Sequence, residues 1–320
     1  MASFSPSFFR RFSPRAARTA AVLALAASLG ACSGVGTLNA LTPRSAATVD
    51  TGVAYGPLPR QRLDVYRPAA PAPVDGWPVV VFFYGGTWNS GERGDYLFLG
   101  QALASRGVLA LVADYRLYPE VRYPDFVRDS ALAVGYGLEQ AARWGGDPRR
   151  VFVMGHSAGG YNAAMVALDP RWLAATGHAP RELAGWIGLA GPYDFFPTDN
   201  PDAQPVFFHP DYPAHAQPSD FMPPPAAGAR PSSSALQMPR AFLAAPEHDR
   251  LVSPERSTLQ IAHRLQAAGV PVVLKTYPRA SHTTLVGAFA WPLRWVAPVL
   301  DDVSGFVASA PPTAATPAGR

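Results

Sequence analysis

One cysteine, Cys32, stands among 320 residues, and without a second thiol no intramolecular disulfide can form. Charge is scarce as well, at 16% of residues. The formal balance of 27 Lys and Arg against 23 Asp and Glu is basic only through Arg10, Arg11, Arg15 and Arg18. Once residues 1–31 are set aside, the two signs balance at 23 each, so nothing points to a nucleic-acid partner. There is no internal repeat. The apolar run "TAAVLALAASLG" behind the four arginines is too short to span a bilayer as a stable helix.

A basic stretch followed by a short apolar run is the pattern of a cleaved export signal. "Leu29-Gly30-Ala31-Cys32" comes directly after it and resembles a bacterial lipobox, in which the Cys is lipidated and becomes the new N-terminus. We therefore expect a signal peptide over 1–31, lipidation at Cys32 and a linker over 32–49. A single domain is expected over 50–308, with a disordered tail over 309–320. Ser33 favours sorting to an outer membrane in a two-membrane host. The expected location is the periplasmic face of the envelope, on a lipid anchor.

From about Ala54 the pattern settles. The runs 62–68, 78–84, 108–115, 151–155, 186–191, 241–246 and 272–277 are apolar, often β-branched and of strand length. Segments with helical spacing lie between most of them. The clearest is 254–268, with Ser253 as N-cap, Pro254 at the first position, and Gly269 and Pro271 as stops. Uniformly apolar strands alternating with helices predict an α/β fold, a mostly parallel sheet covered on both faces. Residues 197–239 break the rhythm with many prolines and several aromatics. So long an irregular stretch between two core strands is read as a lid-like insertion over a site.

The chemistry centres on "VFVMGHSAGGYNAAM", 151–165. A buried strand enters Gly155-His156-Ser157-Ala158-Gly159 and leaves as a helix with almost no loop, which fits G-x-S-x-G at a nucleophile elbow. Such a turn lifts the Ser157 hydroxyl clear of the sheet, but a hydroxyl needs a base to take its proton. Of the seven histidines, His282 follows the last strand and precedes a helical segment, at the sheet edge that carries Ser157. The side chain of His156 would leave the turn in another direction. His178, His209 and His215 lie in connections, and His263 lies on a helix. His209 and His215 with Asp211 could form a metal set, but no second cluster supports one.

The base needs a carboxylate to orient it. Asp249, on the loop after 241–246, comes first, with Glu247 and Asp194 as rivals; the order Ser…Asp…His agrees with this mechanism on α/β sheets. Donors for an oxyanion are expected from the backbone of Gly85, Gly86 or Thr87 with Ala158. Glycines after a core strand let N–H groups approach a ligand closely. Trp88, Tyr193, Phe207, Phe208, Tyr212 and Phe221 are expected to line a substrate pocket.

Residues 50–308 resemble the α/β-hydrolase superfamily, in the esterase branch related to carboxylesterases, feruloyl-esterase-like enzymes and kynurenine formamidases. The motifs are "GHSAGG", "YGGTW", "ADYRLYPEVRYPDFVRD" (113–129) and "GLAGPYDF" (188–195). The branch carries H-G-G-x-W at its oxyanion loop, and Tyr84 stands here in place of the usual His. The resemblance implies structural roles for Asp125, Asp129 and Asp194. It also implies a serine hydrolase acting on carboxylic esters of modest size through an acyl-enzyme. An amidase or formamidase of the same fold, or a catalytically silent binding lipoprotein, are the alternatives. The expected partner is a small-molecule ester, with no metal or organic cofactor.

Overall fold

Strands that are apolar on both faces are stable only when both faces are covered. The computed structural model describes residues 34–226, 231 and 233–313; the expected signal segment and Cys32 lie outside them. Eight strands among the described residues are β1 (Ala47–Ala54), β2 (Arg62–Pro68), β3 (Trp77–Phe83), β4 (Leu109–Ala113), β5 (Gly146–His156), β6 (Gly185–Leu189), β7 (Ala241–Pro246) and β8 (Val272–Tyr277). They form one sheet in the order β1-β2-β4-β3-β5-β6-β7-β8. β1 pairs with β2, and β2 with β4, antiparallel. All the other pairs are parallel. Every residue of β4, β6 and β7 is buried, and since side chains alternate across a strand, both faces are covered.

The covering helices are α1 (Gly34–Leu41), α2 (Leu97–Ala104), α3 (Asp125–Gln140), α4 (Ala158–Leu168), α5 (Pro170–Ala174), α6 (Gln260–Ala267), α7 (His282–Gly287) and α8 (Val299–Ser309). The α/β expectation and its seven strands hold. Ser253 accepts the N–H of Arg256 at 3.2 Å, as expected of the cap. The first turn behind it is wide, with Leu259 N–H donating to the Pro254 carbonyl at 2.8 Å.

Two boundaries are corrected. Residues 32–49 were expected as a linker, yet α1 and the start of β1 lie within them. The helix "GVGTLNAL" has no charged residue in its end turns and no fully buried residue, so it carries little signal of its own. It is held from outside: Asn39 donates to the Gly94 carbonyl at 2.9 Å and accepts the Phe98 N–H at 3.1 Å. At the other end, 309–313 does not behave as a free tail. Ala310 is buried, and the backbone N–H and hydroxyl of Thr313 both reach the Arg149 carbonyl, at 2.9 and 3.1 Å.

Because β3, β5, β6, β7 and β8 run the same way, the segments leaving them emerge at one edge of the sheet. The site is built there.

Candidate active site

β5 ends at His156 and α4 begins at Ala158, so Ser157 alone turns the chain. Its backbone sits at φ 55°, ψ −122°, a conformation that costs on the order of 1–3 kcal/mol and persists only where the surroundings hold it. Here the Ser157 N–H donates to the Leu189 carbonyl at 2.9 Å, and the Ser157 carbonyl accepts from Tyr161 N–H at 3.1 Å. The flanking glycines are required by contact. A Cβ on Gly155 would lie 1.9 Å from the Gly159 carbonyl oxygen, and one on Gly159 would lie 2.1 Å from that of Phe83.

Three side chains from three segments meet at this turn. The Ser157 hydroxyl is 2.8 Å from His282 Nε2, and His282 Nδ1 is 2.6 Å from Asp249 Oδ2. Ser281 caps α7 by accepting the Thr284 N–H at 3.3 Å, which fixes His282 at the first position of that helix. The Asp249 side chain is fully buried, and Oδ1 accepts the N–H groups of Leu251 and Val252 at 2.8 and 3.2 Å. Burial alone would raise the Asp249 carboxyl. The hydrogen bond and charge of His282, with the two N–H groups, outweigh it and hold the carboxyl below its ordinary range. The rivals lie elsewhere. Glu247 is exposed, and Asp194 is 3.4 Å from Arg256.

His156 has a place the sequence did not reveal. It turns away from the Ser157 hydroxyl, as expected, and lies beside the His282 ring, centroids 4.9 Å apart. Its Nε2 is 2.8 Å from the His282 carbonyl oxygen. A carbonyl only accepts, so Nε2 carries the proton, and Nδ1 remains buried with no partner. Burial, then the neighbouring His282, press its pKa down to about 3, so the ring is neutral.

The loop after β3 lies against Ser157: a Cβ on Gly85 would sit 2.8 Å from Ser157 Cβ. Gly86, Thr87 and Trp88 all adopt positive φ (118°, 49° and 58°), curling the backbone so that the N–H groups of Asn89 and Ser90 both reach the Gly86 carbonyl, at 3.0 and 3.1 Å. Gly85, Gly86, Thr87 and Ala158 all border the space around the Ser157 hydroxyl. Ala158 opens α4, where an N–H has no acceptor inside the helix. Tyr84, in place of His, points down instead. Its hydroxyl donates to Asp114 at 2.9 Å and accepts from Arg60 at 2.8 Å. Its ring stacks between Tyr115 and Tyr96, at 4.8 and 5.7 Å.

The aromatic expectations are largely corrected. Trp88 does border the pocket, its indole N–H donating to Asn162 at 3.0 Å. Tyr193 is fully buried against Trp186, at 5.9 Å, and does not reach the pocket; its neighbours Asp194 and Phe195 do. Phe207 is buried under Trp88, ring centroids 4.8 Å apart. Phe208 lies beneath the Arg122 guanidinium at 5.1 Å, and Tyr212 stacks on Phe196 at 4.3 Å. Phe221 packs under Arg171 at 5.4 Å. Aromatic type alone cannot distinguish a pocket wall from the packing behind it. Sequence reasoning also missed Gln217, whose carboxamide oxygen accepts the N–H groups of Phe195 and Phe196 at 2.6 and 2.7 Å. The described start of the insertion thus forms a packed wall, and Thr198, Asp199, Asn200, Asp202 and Ala203 face the pocket from it. Among the described residues no three His, Cys, Asp or Glu cluster as metal ligands; His209 Nδ1 pairs with the Tyr212 hydroxyl at 2.9 Å.

Over 146 residues the chain is 34% identical to a probable isoprenylcysteine alpha-carbonyl methylesterase of Oryza sativa subsp. japonica, covering 44% of this chain and 35% of that protein. Over 117 residues it is 39% identical to the carboxylesterase NlhH of Mycobacterium tuberculosis, 36% of each chain. The match thus spans about a third of these relatives' length. Esterase B of Lactobacillus rhamnosis, solved with a tributyrin phosphonate, superposes with a TM-score of 0.67 at 21% identity, over 92% of this chain and 96% of that one. A thermophilic esterase of Thermogutta terrifontis with butyrate bound gives 0.63 at 22% identity, over 83% and 95%. At those identities the likeness speaks for the fold alone. The family described as alpha/beta hydrolase fold matches residues 80–286, a span that holds the elbow, the loop after β3, Asp249 and His282, and the chain belongs to that family.

Proposed function

We propose that the chain is a serine hydrolase of carboxylic esters. The observation that carries this reading is the unbroken chain Ser157–His282–Asp249, with bonds of 2.8 and 2.6 Å. Ser157 Oγ attacks the ester carbonyl while His282 Nε2 takes its proton. Asp249 holds Nδ1–H, fixing the tautomer that leaves Nε2 free to accept, and stabilises the imidazolium that forms. The backbone N–H groups of Gly86 or Thr87 with that of Ala158 receive the oxyanion. His282 then returns the proton to the departing alcohol, and water, activated by the same base, releases the acid and frees Ser157. The names of the relatives, a methylesterase and a carboxylesterase, support an ester over an amide.

A fluorophosphonate probe tests this directly. Labelling should occur at Ser157 and disappear in Ser157→Ala, together with hydrolysis of nitrophenyl acetate. Equal labelling of the two proteins would overturn the assignment. We further propose that Cys32, read from its lipobox, anchors the chain to the outer membrane; Cys32→Ser should move the protein from the membrane to the soluble fraction.

A further inference from the structure

Two cavities meet at Ser157, of about 640 Å³ on one side and about 710 Å³ on the other. They share Thr87, Ser157, Leu251 and His282, and otherwise have different walls. We propose that the site takes an amphiphilic ester, its apolar arm lying against the N-terminal helix α1 and its polar arm under the insertion after β6. This rests on the ester-hydrolase reading.

The larger cavity is walled by Val35 and Leu38 of α1, with Tyr96, Phe98, Val286 and Leu293. Several of its polar side chains are already engaged within the chain. Ser90 Oγ donates to the Gly86 carbonyl at 3.1 Å, the Asp95 carboxylate accepts the Glu92 N–H at 3.3 Å, and Thr284 pairs with Ser281. A ligand entering here meets a wall that is mainly hydrocarbon, so the main favourable exchange is the burial of apolar surface. The α1 wall is fixed in place. Asn39 clamps it to Gly94 and Phe98, and Trp291 donates to the Leu41 carbonyl at 2.9 Å. Leu38 Cδ1 comes within 3.7 Å of where a Cβ on Gly287 would stand, so α1 packs on the short helix that begins with His282.

The smaller cavity is different. Asp194, Thr198, Asn200 and Arg256 border it, and its rim carries Asp199, Asp202 and Arg250. Those last three are exposed, and no ion pair holds them among the described residues. Charges of both signs offer donors and acceptors without a strong net field, which suits a neutral, hydroxyl-bearing arm better than an ion. The reacting carbonyl at Ser157 sits where the two environments join, so a substrate matching both must change polarity across its ester bond.

Four esters of matched size test this: glyceryl butyrate, butyl glycerate, butyl butyrate and glyceryl glycerate. One of the two mixed esters should exceed both uniform ones in kcat/KM by about tenfold or more, the scale that pocket contacts of this kind give. Which mixed ester it is reveals which cavity holds the acyl group. Leu38→Trp, or Val35→Trp should the first fail to fold, narrows the apolar cavity and should cut that advantage by about tenfold. The proposal is overturned if butyl butyrate or glyceryl glycerate is the best substrate, or if all four are alike. It is overturned equally if both folded Trp variants keep the advantage. Should the wild-type protein hydrolyse none of the four, the ester-hydrolase reading falls, and this proposal with it.

Discussion

Two buried aspartates stand at the same edge of the sheet, Asp114 after β4 and Asp249 after β7, and they do opposite things. Asp114 accepts the Tyr84 hydroxyl at 2.9 Å, the Arg93 N–H at 2.7 Å and the Arg93 guanidinium, with Arg60 a further 3.8 Å away. Asp129 is treated alike, taking the Arg116 guanidinium at 2.8 and 2.9 Å and Gln61 at 2.8 Å. Guanidinium groups are permanent cations that grip a carboxylate with several bonds, so these aspartates are saturated and fix backbone. Asp249 has two N–H groups and one imidazole. Its side-chain partner, the one seen among the described residues, can gain or lose a proton and turns its other nitrogen to Ser157. The partner, rather than the carboxylate, decides whether a buried aspartate holds a loop or, in the mechanism proposed above, serves the proton transfer.

Exchanging the charge in each network sharpens this contrast. Asp249→Asn keeps the shape but can present a donor to His282 Nδ1, favouring the wrong tautomer; kcat on nitrophenyl acetate should fall on the order of 10⁴-fold with the fold intact by circular dichroism. Asp194→Asn, which weakens a partly exposed pair to Arg256 and an amide contact from Gln260 at 3.1 Å, should stay within a few-fold of wild type. If the two results are reversed, the carboxylate has been misassigned.

Asp114→Asn should act on stability. It leaves Arg93, Arg60 and the Tyr84 hydroxyl short of their common acceptor at a buried position, and the expected loss is about 3 kcal/mol in denaturant unfolding. A fully stable Asp114→Asn protein would show that the network under the loop after β3 is dispensable.

The smallest effect concerns His156, which belongs to neither kind of network. Its folded pKa, near 3, lies below the ordinary histidine value of about 6.5. Between those limits the unfolded chain binds a proton that the folded chain refuses, so stability falls as pH drops through that window. The depressed Asp249 adds a loss of the same sign, but only at lower pH, as the carboxyl protonates. Urea midpoints at pH 7 and pH 5 therefore span the window in which His156 contributes, and a variant that does not titrate isolates its share. His156→Gln can still donate to the His282 carbonyl but does not titrate, and its midpoint should fall less over that interval than that of wild type. An equal fall would mean that His156 is not held neutral.

Much of this was legible beforehand because it is written locally. The strand runs at 62–68, 241–246 and 272–277 coincide with β2, β7 and β8; 241–246 is apolar and buried throughout, as a covered strand requires, while β2 and β8 keep apolar, often β-branched residues among polar ones. The elbow was legible because Gly155 and Gly159 answer a steric demand within five residues. The parallel strands bring the ends of β5, β7 and β8 to one edge, so Ser157, Asp249 and His282 could be nominated by position in the chain. Two elements escaped for the complementary reason. α1 and β1 carry weak patterns because their stability comes from Asn39, Trp291 and pairing with β2, contacts made 55 or more residues away in the first case.

By itself, then, the sequence determined the alternation of strands and helices, the turn that raises Ser157 and the order of the segments that bring His282 and Asp249 to it. Tertiary structure alone decided that Asp249 rather than Asp194 or Glu247 meets the imidazole, that Tyr193 is buried behind the pocket, and that Tyr84 serves Asp114. It alone set α1 against one side of Ser157 and a polar wall against the other. Backbone pattern is fixed by neighbours a few residues apart, whereas the partner of a buried charge and the lining of a cavity are fixed by side chains that meet only when distant segments pack.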